Sequence, residues 1–244
     1  MGEIFVLVEH RQGKVRDITY EMLGAGERIA GEQGASLVAL LLGHGVKDIA
    51  EELSTRASKV LVVEDERLGN FNSLPYQKVL ADLLSRHRPF LTLIGHTAFG
   101  MYVAPSLSVE TNLPLVSDCI GLSSEGSRLK AVRSVYGGKV QANVSLRESE
   151  GYLATIRPGC FPTKASGDKE GGIVVEPSPL GEAVDAKRFI EYFEAPLTGE
   201  DITQAEIIVS VGQGIGGPEN IPLAEEVAKN LGGVLACSRP VVDR

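Results

Sequence analysis

The chain has 244 residues, 43% of them hydrophobic and 23% charged, with a net charge of −8. That is the profile of a globular chain, long enough for one large domain or one and a half ordinary ones, and it argues against disordered and fibrous classes. The acidic balance and the scattered Lys and Arg argue against a surface that tracks nucleic-acid phosphates, and no apolar run approaches the roughly 20 residues of a membrane span.

The opening stretch has a short apolar core between Glu3 and Glu9. It lacks the basic start and small-residue cleavage site of a signal peptide. The Met-Gly start has Val6 where a myristoylation motif needs Ser or Thr. The expectation is a cytoplasmic protein with no membrane insertion.

Ile4-Phe-Val-Leu-Val8 reads as a strand covered on both faces. Asp17 stands where it can cap a helix whose inner stripe is Ile18, Met22, Ala25 and Ile29, and Gly34 ends it. Residues 36–42 form a second strand, followed by a Gly43-His-Gly45 turn and a short helix over 46–56. A third strand over 59–63 precedes a helix over 73–88, with Leu80, Leu83 and Leu84 facing inward. A fourth strand begins at 89–94. The spacing predicts a helix over 98–112, with Pro105 bending it or moving its start. Residues 115–122 make a fifth strand. Strands alternating with helices indicate α/β architecture, a doubly wound and mostly parallel sheet.

The pattern changes after Ser123. The β-like stretches 129–135, 140–147 and 152–156 are separated by Gly137-Gly138 and Glu150-Gly151, which predicts an antiparallel extension. Residues 164–172 read as a loop and 185–194 as a connector. A second α/β unit then begins, with a strand over 206–211, a glycine turn, a helix over 218–231 and a strand over 233–236. The boundary is expected between 195 and 205, giving a first domain over 1–195 and the start of a second over 205–244.

Four constellations carry candidate chemistry. Val209-Ser-Val-Gly-Gln-Gly-Ile-Gly-Gly-Pro-Glu-Asn220 follows a strand and opens a helix, so Gly212 and Gly214 allow a close backbone approach to a ligand phosphate. It falls outside the strict dinucleotide fingerprint, and its residues leave two readings open, an ordinary tight strand–helix turn and a ligand-facing one. Ser238 and Arg239 should stand at the carboxyl end of the last strand, where a guanidinium can meet negative charge; near a terminus Arg239 is otherwise a surface residue. Arg133 and Arg157 flank glycine turns in Val132-Arg-Ser-Val-Tyr-Gly-Gly-Lys139 and Thr155-Ile-Arg-Pro-Gly-Cys-Phe161, and salt bridges or carbonyl contacts are their expected roles. His96 follows the fourth strand without a Cys or His partner at metal spacing and reads as a loop or buried polar residue. Cys119, Cys160 and Cys237 are odd in number and far apart, which predicts reduced and mostly buried thiols. There is no Ser-His-Asp signature, Walker loop or zinc motif.

Taken in order, Gly2-Glu-Ile-Phe-Val-Leu-Val-Glu9, Arg133 with Tyr136-Gly-Gly138, Thr155-Ile-Arg-Pro-Gly-Cys-Phe161, Val211-Gly-Gln-Gly-Ile-Gly216 and Ser238-Arg-Pro-Val-Val-Asp243 resemble the electron-transfer flavoprotein α-subunit family over essentially the whole chain. The resemblance implies a subunit that pairs with a β subunit and carries FAD. It would pass electrons from a dehydrogenase to an acceptor oxidoreductase as a carrier, not as a substrate-transforming enzyme. It places Arg239 against the flavin ring, where a cation stabilises negative charge on reduction and raises the potential. Ser238 would help fix the flavin, with Gly212 and Gly214 shaping the turn beside it. The family's following Gly-Gln-Thr-Gly-Lys and Gly-Ile-Ser-Gly-Ala-Ile-Gln-His stretches fall outside these 244 residues. The chain therefore reads as truncated within the FAD-binding domain, with FAD binding by itself expected to be weak or absent. Two other readings stand beside this one: a free-standing adenine-nucleotide-binding α/β module, and a docking fragment without cofactor.

Overall fold

A computed structural model describes residues 2–167, 171–181, 189–192, 202 and 205–243. The chain forms two compact units, residues 1–189 and 190–244.

The first unit is built on one nine-stranded sheet. Its elements in chain order are β1 (Glu3–Leu7), the hairpin β2 (His10–Arg11) and β3 (Lys14–Val15), α1 (Asp17–Gln33), β4 (Ser36–Gly43), α2 (Lys47–Ser54) and β5 (Lys59–Glu64). They continue with α3 (Ser73–His87), β6 (Leu91–Gly95), α4 (Ala98–Thr111), β7 (Leu115–Glu125), β8 (Arg128–Val135), β9 (Val140–Ser145), β10 (Tyr152–Ile156) and β11 (Gly172–Glu176). The sheet order is β11-β5-β4-β1-β6-β10-β7-β8-β9. Seven strands run parallel from β11 to β7, and β8 and β9 continue antiparallel. This is the expected doubly wound sheet with an antiparallel extension.

The period-two alternation of side chains sends β1 to both faces. Ile4, Val6 and Val8 join α1 and α2 in one core, while Phe5 and Leu7 join α3 and α4 in the other. Ile18, Met22, Ala25 and Ile29 are the buried stripe of α1, as their spacing predicts.

Five local expectations need correction. Asp17 is the first residue of α1, not its cap; Arg16 holds the cap position, fixed by its N–H donating to Glu9 O at 2.8 Å, and makes no side-chain cap bond. Pro105 does not move the start of α4; it lies inside the continuous helix on the exposed side, where water can reach the carbonyl its ring leaves without an N–H donor. The stretch 152–156 is not part of the antiparallel extension. Here β10 inserts parallel between β6 and β7, pairing Leu153 with Thr92 and with Leu115. The 164–172 loop ends in β11, an edge strand parallel to β5. Of the three thiols only Cys119 is buried; Cys160 and Cys237 are exposed. Most of the 185–194 connector and the 195–205 boundary lie outside the described residues.

The second unit contains β12 (Ile208–Val211), α5 (Ile221–Leu231), β13 (Val234–Cys237) and the short α6 (Arg239–Val242). β12 and β13 pair in parallel from Ile208↔Val234 to Val211↔Cys237, with α5 as the crossover. Gly232, in the left-handed region at φ 65°, ends α5.

Candidate functional site

The β12–β13 pairing decides what stands beside what. Because the strands are parallel and end together, the Gly212 turn and Ser238 leave the same edge. Ser238 N–H donates to Val211 O at 2.9 Å and extends the ladder by one step. A methyl group at Gly212 would lie 3.8 Å from Ser238 Oγ, whereas one at Gly214 would meet nothing within 4 Å. The four sequence-predicted residues are thus a neighbouring set: Gly212 against Ser238, Arg239 next in chain, and Gly214 opening outward.

Local chemistry shapes the turn. Gln213–Ile215 and Pro218–Asn220 are single 3₁₀ turns joined through Gly216, whose φ of 87° suits a residue without a side chain. Asn220 Nδ2 donates to Ile215 O at 2.8 Å and braces the first turn against the second. The Ser238 hydroxyl has no partner among the described residues. Arg239 is 90% exposed, tethered to Asp243 Oδ2 at 3.3 Å one helical turn on. Gly212, Gly214 and Gly217 occupy the first, third and sixth places of the dinucleotide fingerprint, which corrects the reading of the turn as outside it. Two features still depart from that fingerprint. The 3₁₀ turns delay α5 to residue 221, and β13 leads into Ser238 and Arg239 where a ribose-binding acid would stand.

The remaining constellation lies in the first unit, at the carboxyl ends of β6 and β10 and near the start of β7. Arg157 forks onto Asp118, Nε to Oδ1 at 2.8 Å and Nη2 to Oδ2 at 2.6 Å. Asp118 sits at φ 59° beside a bulge in β7, and its N–H donates to Thr155 Oγ1 at 2.8 Å. His96 Nδ1 lies 2.9 Å from the same Thr155 oxygen. The Arg157 hydrogen bond holds the Asp118 carboxyl below the usual carboxylate range, against the opposing effect of burial. Cys119 is inert as a nucleophile, because burial pushes its thiol up to about 12. The turn after Arg157 is seated on Glu21, which accepts the N–H groups of Gly159, Cys160 and Phe161 at 2.9, 3.1 and 3.2 Å.

Residues 4–179 match the electron transfer flavoprotein domain, and residues 201–244 match the electron transfer flavoprotein FAD-binding domain. The chain belongs to the electron transfer flavoprotein α-subunit family. It is 32% identical to protein FixB of Clostridium saccharobutylicum over 99% of this chain and 73% of that protein. It is 30% identical to the electron transfer flavoprotein subunit alpha of Thermoanaerobacterium thermosaccharolyticum over 99% of this chain and 74% of the relative. The subunit alpha of Bacillus subtilis is also 30% identical, over 100% of this chain and 74% of the relative.

FAD is the group this family implies, and the residues at the β12–β13 edge fit part of it. The turn at Gly214 is open, the Ser238 hydroxyl is a free donor and acceptor, and the Arg239 cation is held by one exposed carboxylate. A hydroxyl, a guanidinium and unobstructed backbone N–H groups suit an electron-rich ring edge or a phosphate. Sequence reasoning missed Asn220 as the brace of this turn and Glu21 as the seat of the Arg157 turn. Asn220 lay at the helix-opening position, which was the one signal available; nothing in the spacing of Glu21 pointed 138 residues ahead.

Proposed function

We propose that this electron transfer flavoprotein α chain is an FAD-dependent electron carrier in the cytoplasm, paired with a β subunit and placed between a dehydrogenase and an acceptor oxidoreductase. The observation that carries the reading is the convergence of the Gly212–Gly214 turn with Ser238 and Arg239 on one edge of β12–β13, inside the stretch matching the FAD-binding domain. In this reading Ser238 hydrogen-bonds the cofactor, and Arg239 lies along the ring edge that gains negative charge. The turn glycines let the backbone come close. FAD supplies the electron acceptance and donation; the chain supplies position and field. The domain division belongs to the same proposal, with residues 1–195 as the base domain and 205–244 contributing to the flavin domain. By themselves these 244 residues hold FAD weakly, because one hydroxyl, one guanidinium and one turn are a small set for a dinucleotide.

The test is co-expression with a cognate β subunit, followed by FAD titration of the purified complex and of the chain alone by visible absorbance and flavin fluorescence. Pairing with β is expected. Arg239→Gln should lower the flavin reduction potential, and Arg239→Lys should restore most of it. A potential indifferent to residue 239, in a complex that retains flavin, overturns the assignment of Arg239. Retention on an adenine-nucleotide resin without pairing to β would favour the free-standing nucleotide module instead.

A further inference from the structure

Arg133 is a motif residue that the flavin reading leaves without a role. It lies on β8 directly across from Cys119, next to Asp118. Its Nε is buried and has no hydrogen-bond partner, and no other bond or ion pair of its guanidinium occurs among the described residues. A buried donor on a permanent cation costs free energy unless something accepts from it. Asp118, a carboxylate that feels the Arg133 charge, already accepts from Arg157 on both of its oxygens.

His96 adds a third nitrogen-bearing side chain. Its Nε2 stands 3.8 Å from Asp118 Oδ1. Thr155 Oγ1 accepts the Asp118 N–H and also meets His96 Nδ1, which leaves Nε2 as the ring nitrogen on the Asp118 side. Two arginines and a histidine therefore surround a single carboxylate. The place is the carboxyl end of β6 and β10, the edge where parallel α/β sheets bind ligands. The left-handed backbone of Asp118 marks local strain at the same point, and such strain collects at functional sites. Arg157 and His96 are part-exposed, so the cluster is open to solutes.

We propose that Arg133, Arg157 and His96 form a binding site for a small oxyanion of the phosphate class, in the first unit and separate in chemistry from the flavin edge. The oxyanion accepts from the Arg133 guanidinium and from His96, whose Nε2 carries the proton in the bound state, while Asp118, already paired with Arg157, limits the affinity by its own charge. The assignment does not depend on FAD.

The experiment titrates the full chain with inorganic phosphate, and separately with chloride at matched ionic strength. The His96 ring and Arg133 Nε–H resonances are followed by NMR. Saturable shifts of both are expected with phosphate, with an affinity at least about tenfold above chloride, as paired charge-assisted bonds require. Arg133→Gln should weaken phosphate binding at least about tenfold, Arg133→Lys should recover part of it, and Lys47→Gln on α2 should leave it unchanged. Linear shifts equal for the two anions, or an Arg133→Gln protein that binds as tightly as the parent, overturn the proposal. Should Arg133→Gln fail to fold, Asp118→Asn provides the second reading. Removing the competing carboxylate should tighten phosphate binding severalfold, and unchanged or weaker binding overturns the proposal.

Discussion

Single side chains in the first unit act by holding backbone that has no ladder of its own. Glu21 takes three consecutive N–H groups of the turn after Arg157, so its loss strands several donors at once. Glu21→Ala should cost about 2–3 kcal/mol, measured as a shift in the urea midpoint with an unchanged slope. Asp118 gives a pH-dependent counterpart. Its folded pKa lies below the ordinary value of about 3.9. The stability it contributes is therefore complete above that value and is lost as pH falls through the folded pKa. Asp118→Asn should lower stability at pH ~7 by roughly 1 kcal/mol, a value kept small by the exposure of Arg157. Parent and variant should converge as acidification protonates the parent's carboxylate, which paired urea titrations would detect. These roles were hard to foresee from sequence. Arg133 and Arg157 stood out by their flanking glycines, but their meeting at Asp118 depends on the strand order, and Glu21 looked like any acidic residue on a helix.

At the scale of elements, α1 shows how one residue type serves opposite ends within a single helix. Gly24 lies where a methyl group would come 2.2 Å from Pro162 O, so it permits the return of the 162 segment across the helix. Gly31 faces open space. Gly24→Ala should destabilise by about 2 kcal/mol or more through overpacking, whereas Gly31→Ala should stabilise by about 1 kcal/mol through helix propensity. Thermal melts of the two variants should move in opposite directions. The strands and helices up to β7 were legible because continuous apolar runs and helical stripes coincide with their burial. The burial of β10 was legible as well, in the unbroken Tyr-Leu-Ala-Thr-Ile run, yet its position in sequence after two hairpin-like strands suggested another antiparallel neighbour. β11 escaped notice because Gly-Ile-Val-Val-Glu is short and follows a polar stretch, and an edge strand buries too little to impose a pattern.

For the whole molecule, the end of the first unit is set by packing. Leu180 is buried in the core beneath α3 and α4, and Arg67 Nη2 and Nη1 donate to Leu180 O at 3.0 Å and Gly181 O at 2.6 Å. A polypeptide of residues 1–189 should therefore keep a cooperative unfolding transition close to that of the full chain. One ending at residue 170 should lose several kcal/mol, since it lacks β11 and the Leu180 contact. Differential scanning calorimetry of the two truncations separates these outcomes. The family was readable because its motifs stand in order along the chain. The pairing of Gly212 with Ser238 needed the parallel register of β12 and β13.

The insertion of β10 between β6 and β7 also sets a timetable for synthesis. When the ribosome has made residue 150, β6 and β7 both exist, but the strand that joins them does not. Their facing edges stay unpaired while the β8–β9 hairpin, a local structure, can already form. Only after Ile156 emerges can the centre of the sheet close, and β5 waits longer still for β11. Pairings of such long sequence separation are slow to form and expose unpaired edges meanwhile. The chain is thus expected to fold late and nearly at once, with a fully buried central strand arriving among the last.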